Sequence, residues 1–152
     1  MSKKGGTPNQ PANNLANNGV YVLMDEITMG SCADCLKWIM NHNLAETRLP
    51  QLTIIINSPG GDVHAAFALI DTMKASTIPI KTVGLGLIAS CGFLIFIAGK
   101  KGSRILTPNT SILSHQYSWG SHGKEHELYA RVKEFELSTN RMIEHYKKCI
   151  GM

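Results

Sequence analysis

The sequence predicts an α/β fold with a largely parallel sheet. Segments of strand character and helix character alternate along most of the 152 residues, which is typical of strands joined by crossover helices. Residues 52–56 (LTIII) are a continuous, mostly β-branched run, the mark of a strand buried on both faces. The length and the 43% share of apolar residues fit one domain with a substantial core.

The first half of the chain is predicted as strand, helix, strand, helix. Residues 19–24 form a short apolar strand, and residues 28–43 repeat apolar side chains at helical spacing. The strand at residues 52–56 leads through a sharp turn at residues 57–61 into a second helix, whose apolar stripe starts at residue 63. Pro79 ends that helix, because proline removes a backbone donor and clashes with the preceding turn.

The next segment, between Lys81 and Lys100, contains eighteen uncharged residues. That length approaches the minimum for a membrane-spanning helix. However, glycine and serine interrupt its first half, so we predict instead a strand at residues 80–83 and a buried helix at residues 90–98.

Two short strands and one long helix complete the predicted fold. The strands are expected at residues 104–106 and 111–114, and the helix at residues 125–149. The residues expected on the inward face of that helix are Leu128, Val132, Phe135 and Met142.

Composition and the amino-terminal segment exclude several classes of protein. Residues 1–18 are rich in Asn, Gly and Pro without an apolar stretch, so we expect a flexible arm rather than a secretory signal, followed by one domain at residues 19–152. The net charge of +4 has no basic stripe interleaved with aromatics, which disfavours nucleic-acid binding. Four cysteines make no disulfide framework, so a reducing compartment, the cytoplasm, is expected.

The turn Asn57-Ser58-Pro59-Gly60-Gly61 is the first candidate functional segment. It joins a buried strand to the start of a helix. Adjacent glycines let backbone N–H groups face open space, and with a helix dipole behind them they can hold an oxyanion. An ordinary chain-reversing turn is the alternative.

Ser90 is the candidate nucleophile. It lies between small residues at a strand-to-helix transition, where a hydroxyl meets free N–H groups. The segment departs from the G-x-S-x-G pattern, since Ile88 stands where glycine would be. Two alternatives remain open: Ser90 caps the helix, or Cys91 is the nucleophile, although a buried cysteine usually acts as a small apolar residue.

His115 closes a short apolar strand, at the kind of sheet edge where active sites gather. It is the candidate general base for a serine. The alternative is a structural hydrogen-bonding histidine.

Two cysteine and histidine patterns do not predict a metal site. Cys32 and Cys35 form a C-x-x-C inside a predicted helix, without a second ligand pair nearby. His122 and His126 match H-x-x-E-H, but glycines place His122 in a loop, so the two rings cannot share a helix face. We expect no metal and no cofactor.

Three segments in order carry a resemblance to a known family: INSPGGDV at residues 56–63, LIASCGFLIFIAGKKGSRILTPN at residues 87–109 and LSHQYSWG at residues 113–120. From residue 19 to residue 152 the chain resembles the Clp protease proteolytic subunit (ClpP) family of serine peptidases. The resemblance implies a crotonase-like fold of repeated β-β-α units with a long handle helix from residue 125. It further implies stacked seven-membered rings, an ATP-dependent AAA+ unfoldase partner and unfolded polypeptide substrates.

The resemblance also implies roles for individual residues. Ser90 matches the nucleophile and His115 the general base, while Gly60, Gly61 and the amide of Cys91 match the oxyanion hole. Cys91 stands where the family usually has methionine, which leaves a backbone donor intact. Tyr117 stands where the family usually has proline, so the loop that follows it departs from the family pattern.

The family's acidic triad residue has no counterpart in this chain. The family carries that aspartate after the handle helix, whereas the aspartates here all lie upstream of His115: Asp25, Asp34, Asp62 and Asp71. We expect a shortened chain, with a glutamate of the handle helix as another possible third member. An ATP-dependent serine endopeptidase subunit is therefore expected first and a non-catalytic ring subunit second. A membrane-associated serine peptidase of the related signal-peptide-peptidase group is disfavoured by the lack of a signal or spanning segment.

Overall fold

A computed structural model describes residues 14–115, 118 and 120–151 of the chain. Strands and helices alternate through most of this part, which confirms the predicted α/β class. In chain order the elements are β1 (Val20–Met24), α1 (Met29–Leu44), β2 (Leu52–Ser58), α2 (Val63–Ala75), β3 (Ile80–Ala89), α3 (Cys91–Ile97), β4 (Arg104–Leu106), β5 (Ser111–Leu113) and α4 (Glu125–Ile150).

The strands form one sheet in the order β1-β2-β3-β4, and β5 also pairs with β3. All these pairings are parallel. Residues 82–84 of β3 pair with β4, whereas residues 87–89 pair with β5. The two short strands therefore follow one another along the same edge of β3, and the carboxyl ends of β2, β3 and β5 converge.

The core lies on one face of the sheet. Along β2 the side chains of Leu52, Ile54 and Ile56 are fully buried, and the side chains between them are only partly covered. The opposite face is open in the single chain, where Val22 and Ile105 are 45% and 44% exposed. The prediction that β2 is buried on both faces is therefore wrong for one chain, because its helices cover one face only.

The uncharged stretch folds as β3 and α3. Among the described residues, no helix is both long and apolar enough to cross a membrane. β3 is longer than predicted because it continues through Gly84 and Gly86. A side chain at Gly84 would meet Leu106 Cδ2 at 2.9 Å, and one at Gly86 would meet Asn57 Nδ2 at 2.6 Å. These glycines allow close approach within the sheet rather than ending the strand.

Helix α4 is docked on the core mainly through its carboxyl-terminal half. Met142, Tyr146 and Cys149 pack against the core, while Val132 is 41% exposed. The expectation that Val132 faces inward is therefore wrong, since the first turns of the helix extend beyond the apolar core. The fully buried side chains of α4 are instead polar: Ser138 and His145.

Residues 14–18, expected within the flexible arm, form a hydrogen-bonded turn. The carbonyl of Ala16 accepts a hydrogen bond from Trp38 Nε1 at 2.9 Å and lies 2.8 Å from His42 Nε2. These contacts hold the end of the predicted arm against α1. Residues 1–13 lie outside the described residues.

Candidate active site

Ser90 has an unusual backbone conformation at the junction of β3 and α3. Its φ of 51° is the only positive value at a non-glycine residue in the described part of the chain. Such a conformation is costly for a residue with a side chain, and it often occurs at functional sites. Ser90 is the N-cap residue of α3, yet its side chain makes no capping hydrogen bond. The capping alternative is therefore not supported by the hydrogen bonds of the hydroxyl.

Gly60 packs directly against Ser90. A Cβ at position 60 would lie 2.7 Å from the Cβ of Ser90 and 3.0 Å from the carbonyl oxygen of Ala89. The φ of Gly60 is 101°, a conformation that glycine adopts readily. The glycine turn after β2 therefore brings its backbone into contact with the junction that carries Ser90.

The backbone amides of this turn differ in their hydrogen bonds. The amide of Gly60 donates to Ser58 Oγ at 3.1 Å. Within the described part of the chain, no oxygen accepts a hydrogen bond from the amides of Gly61 and Cys91, and both amides face the Cys91 sulfur, a weak acceptor. Gly61 and Cys91 therefore retain the N–H groups that an oxyanion needs, whereas the N–H of Gly60 is already paired.

The turn is fixed from its other side by the segment before α1. Ile27 donates its amide to the carbonyl of Gly60 at 2.9 Å, and Asp62 donates its amide to the carbonyl of Ile27 at 2.7 Å. Asp62 also caps α2, with Oδ1 accepting from the amides of His64 at 2.8 Å and Ala65 at 3.0 Å. These bonds preorganise the backbone around Gly61.

His115 follows the strand that pairs with the end of β3. Ala89 is in register with Leu113, and the amide of Ser90 donates to the carbonyl of Leu113 at 2.8 Å. His115 is two residues further along and is exposed. The structure therefore places Ser90 and His115 at the same edge of the sheet.

A mainly apolar cavity of about 450 Å³ lies beside His115. Its other walls come from Ser114 and from α4. The residues of α4 that line the cavity are Phe135, Thr139, Met142, Ile143 and Tyr146. Ser114 Oγ and Tyr146 Oη lie 3.1 Å apart, which fixes the cavity wall at that point.

Cys91 is a poor alternative nucleophile. Its side chain is buried, and its thiol donates to the carbonyl of Gly61 at 3.4 Å. Burial raises the pKa of the Cys91 thiol above its ordinary value, so the thiolate needed for attack is disfavoured.

Among the described residues, no carboxylate side chain lines the cavity beside His115. Asp62 is engaged in capping α2. On α4, Glu134 lies 3.3 Å from Arg141 and 3.9 Å from His64. Both carboxylates are therefore engaged by other groups. Tyr117, which departs from the family pattern, lies outside the described residues.

The C-x-x-C pattern is part of the core. Cys32 and Cys35 are both buried in α1, and burial raises the pKa of Cys32 to about 11 and that of Cys35 further. The described residues contain no group of three or more potential metal-ligating side chains. His122 lies in the loop before α4 and His126 in its first turn, as the sequence predicts.

Two features of the site were not identified from the sequence. Ser58 Oγ accepts a hydrogen bond from the Gly60 amide, whereas the sequence predicts a role only for the backbone of that turn. His145 is buried on a helix whose overall polarity suggests a solvent-facing histidine. A signal existed for His145, since it lies three residues after Met142, within the inward stripe of α4.

Comparisons with known proteins support the family and the fold. A family model described as Clp protease matches residues 3–152. The ATP-dependent Clp protease proteolytic subunit 1 of Corynebacterium jeikeium is 37% identical over 120 residues, which are 79% of this chain and 61% of that protein. The proteolytic subunit of Deinococcus radiodurans is 35% identical over 98 residues, 64% of this chain and 48% of that protein.

A solved structure of a ClpP1 mutant from Listeria monocytogenes has a TM-score of 0.78 with this chain at 27% identity. The superposition covers 91% of this chain and 75% of that one. The chain spans about half to three fifths of the length of the two curated relatives above.

Proposed function

The chain belongs to the Clp protease family, and from this premise we propose that it is a serine endopeptidase subunit with Ser90 as nucleophile and His115 as general base. The observation that carries the proposal is the positive φ of Ser90 at the start of α3. The Gly60 backbone lies behind Ser90, and the Leu113 carbonyl ties it to the strand that precedes His115.

The proposed reaction has two halves. His115 takes the proton of the Ser90 hydroxyl while Oγ bonds to the peptide carbonyl carbon, whose π electrons move onto the oxygen. When the C–N bond breaks, His115 gives the proton to the leaving amine and an acyl-enzyme remains. A water molecule then attacks the acyl carbon with His115 as base, and Ser90 is regenerated.

The oxyanion formed in each half is proposed to bind the amides of Gly61 and Cys91. Both N–H groups lie at the junction beside Ser90, and within the described residues no oxygen accepts a hydrogen bond from either. Gly60 has a different role, because its own amide donates to Ser58 Oγ. The absence of a side chain at Gly60 lets the turn approach Ser90 closely. Donors fixed before the reaction stabilise the developing charge without reorganising.

The cavity beside His115 is proposed to receive an apolar side chain of the substrate. The α4 side chains that line it include Phe135, Met142 and Ile143. An extended, unfolded polypeptide is the substrate class that can present single side chains to such a cavity.

We further propose that the chain assembles into stacked seven-membered rings in the cytoplasm and that an AAA+ unfoldase supplies them with substrate. Its support in this chain is exposed apolar surface. Val22 and Ile105 on the open sheet face, and Val132 and Leu137 on α4, are 41–51% exposed. Such surface usually marks an interface. Analytical ultracentrifugation tests it: an oligomer is expected, and a monomer at every concentration would contradict it.

A non-catalytic ring subunit is the second candidate. The observation that favours it is that the four aspartates of this chain all lie upstream of His115, so none matches the family's acidic triad position. Covalent labelling by a fluorophosphonate, followed by peptide mapping, separates the two. Label on Ser90 supports the peptidase, and a chain that stays unlabelled supports the structural subunit.

A further inference from the structure

His145 is a buried titratable residue that the proposed mechanism does not use. It lies on α4 and is 2% exposed. Its neighbours come from three other elements, namely α2, α3 and β4, so it occupies the point where the long helix meets the rest of the chain.

The hydrogen bonds of His145 define its tautomer. Nε2 lies 2.8 Å from the carbonyl oxygen of Leu94, and a carbonyl only accepts, so Nε2 carries the proton. Nδ1 then has a lone pair, and Lys74 Nζ donates to it at 3.2 Å. The ring of Phe67 packs edge-on against the imidazole at 6.3 Å. The neutral ring therefore satisfies both nitrogens.

The charged groups that face His145 are mostly cationic. Lys74 and Asp71 approach from α2 and Arg104 from β4, and α4 itself adds Arg141, Glu144 and Lys148 around the adjoining cleft. Cys149 Sγ lies 3.6 Å from Nδ1. Burial is the main cause that lowers the pKa of His145. The hydrogen bond to the Leu94 carbonyl opposes it, Lys74 and Arg104 lower the pKa further, and Asp71 raises it.

We propose that His145 is a positioning residue whose neutral Nε2–H tautomer docks α4 on α3, and whose protonation releases the carboxyl-terminal half of α4. A protonated Nδ1 would point its N–H at the Lys74 ammonium, and the new charge on His145 would lie in a buried site. Protonation of the His145 ring therefore destabilises the docked state of α4.

The docking has a consequence for the candidate active site. Leu94 lies on α3, the short helix that begins after Ser90, and Met142, Ile143 and Tyr146 on α4 line the cavity beside His115. The contact between His145 and Leu94 therefore sets the distance between the helix that carries Ser90 and one wall of that cavity. The docking itself does not depend on peptidase activity.

The docking of α4 is expected to weaken at acidic pH. Because the pKa of His145 is lowered in the docked state, undocked His145 binds more protons below its ordinary pKa of about 6.5. Docking is complete above that pH and weakens as the pH falls toward the lowered pKa. Each unit of pKa difference corresponds to about a tenfold change in the docking equilibrium.

Hydrogen exchange with mass spectrometry tests the proposal on the 152-residue chain. We expect protection of α4 residues 138–148, corrected for intrinsic exchange, to fall as the pH is lowered from 7.5 to 5, while β2 stays protected. His145→Gln retains an N–H near the position of Nε2 but cannot gain a charge, so its protection should not depend on pH. His126→Gln, an exposed histidine on the same helix, should behave like the wild type.

If α4 does not dock in the His145→Gln variant, two further measurements test the proposal. Lys74→Met should raise the pKa of His145 toward its ordinary value and so reduce the fall in protection. NMR of labelled histidine should show His145 as the Nε2–H tautomer with a pKa below the ordinary value of about 6.5. Equal pH dependence of protection in wild type and His145→Gln, or a pKa of His145 at or above its ordinary value, would overturn the proposal.

Discussion

The amide of Ser90 donates a hydrogen bond to the carbonyl of Leu113 at 2.8 Å. This bond extends the pairing of β3 with β5 by one residue beyond Ala89. It fixes the backbone of the candidate nucleophile to the strand that leads directly to His115. The pair of residues proposed to perform the chemistry is thus positioned by sheet pairing, a rigid element, rather than by a loop.

Replacing Gly60 by alanine tests the close contact behind Ser90. At φ 101° the new Cβ would lie 2.7 Å from Ser90 Cβ, so the variant suffers both a left-handed backbone, about 1–2 kcal/mol, and overpacking, about 1–3 kcal/mol. Gly102→Ala is the matched control, because φ is 84° there and nothing lies within 4 Å of the new Cβ. Denaturant unfolding should show a larger loss of stability for Gly60→Ala, and equal losses would contradict the contact.

Arg104 is predicted to hold the end of α4. Its Nε donates to the carbonyl of Gly99 and one of its terminal nitrogens to that of Cys149, both at 2.8 Å. Arg104→Met should cost about 1.5–3 kcal/mol, since hydrogen bonds from a charged donor are lost. Arg141→Met, which removes an exposed ion pair with Glu134, should cost less than about 1 kcal/mol. Chemical denaturation compares them, and a loss for Arg141→Met as large as that for Arg104→Met would show that Arg104 does not anchor the helix.

Cysteine alkylation is predicted to follow burial. With a pKa of about 11 against an ordinary 9.0, Cys32 has about 100-fold less thiolate at pH 8 than an ordinary cysteine. Cys35 and Cys91 are buried as well, whereas Cys149 is only partly buried. Brief iodoacetamide treatment of the native chain should therefore modify Cys149 first, as read by peptide mass spectrometry. Rapid modification of Cys32 or Cys35 would mean that α1 is not packed as described.

Much of the fold follows from patterns that report burial directly. Leu52, Ile54 and Ile56 predict β2, and Pro79 correctly separates α2 from β3. β3 was predicted too short, because Gly84 and Gly86 resemble strand breakers in sequence. Their role depends on neighbours from β4 and β2 that become adjacent only in the folded sheet.

The candidate site could be predicted as residue types but not as conformations. Ser90 and His115 are identified by motif, whereas the φ of 51° at Ser90 arises from the way β3 meets α3. Likewise, the hydrogen bond that occupies the Gly60 amide depends on the rotamer of Ser58. The inward stripe of α4 indicates that His145 is buried, but its hydrogen bond to a carbonyl of α3 depends on how the two helices pack.

Peptide hydrolysis by this chain alone is predicted to be slow. None of the four aspartates of this chain matches the position of the family's acidic triad residue, and the loss of an acidic residue that orients the histidine lowers turnover by about 10⁴-fold in a well-studied serine protease. Fluorogenic peptides with apolar side chains should therefore be cleaved weakly or not detectably. Fast cleavage that disappears in Ser90→Ala would show that another residue of this chain completes the triad.

Peptide mapping of a fluorophosphonate label tests the assignment of Ser90 most directly. The wild type is compared under identical conditions with Ser90→Ala, Cys91→Ala and Ser111→Ala, the last at an exposed serine. We expect slow labelling of Ser90 that is lost in Ser90→Ala and retained in the other two variants. Because the Ser90 side chain makes no capping hydrogen bond, Ser90→Ala should keep the thermal stability of the wild type to within about 1 kcal/mol. Label on Cys91, label that persists in Ser90→Ala, or a folded wild-type chain that takes up no label would contradict the assignment.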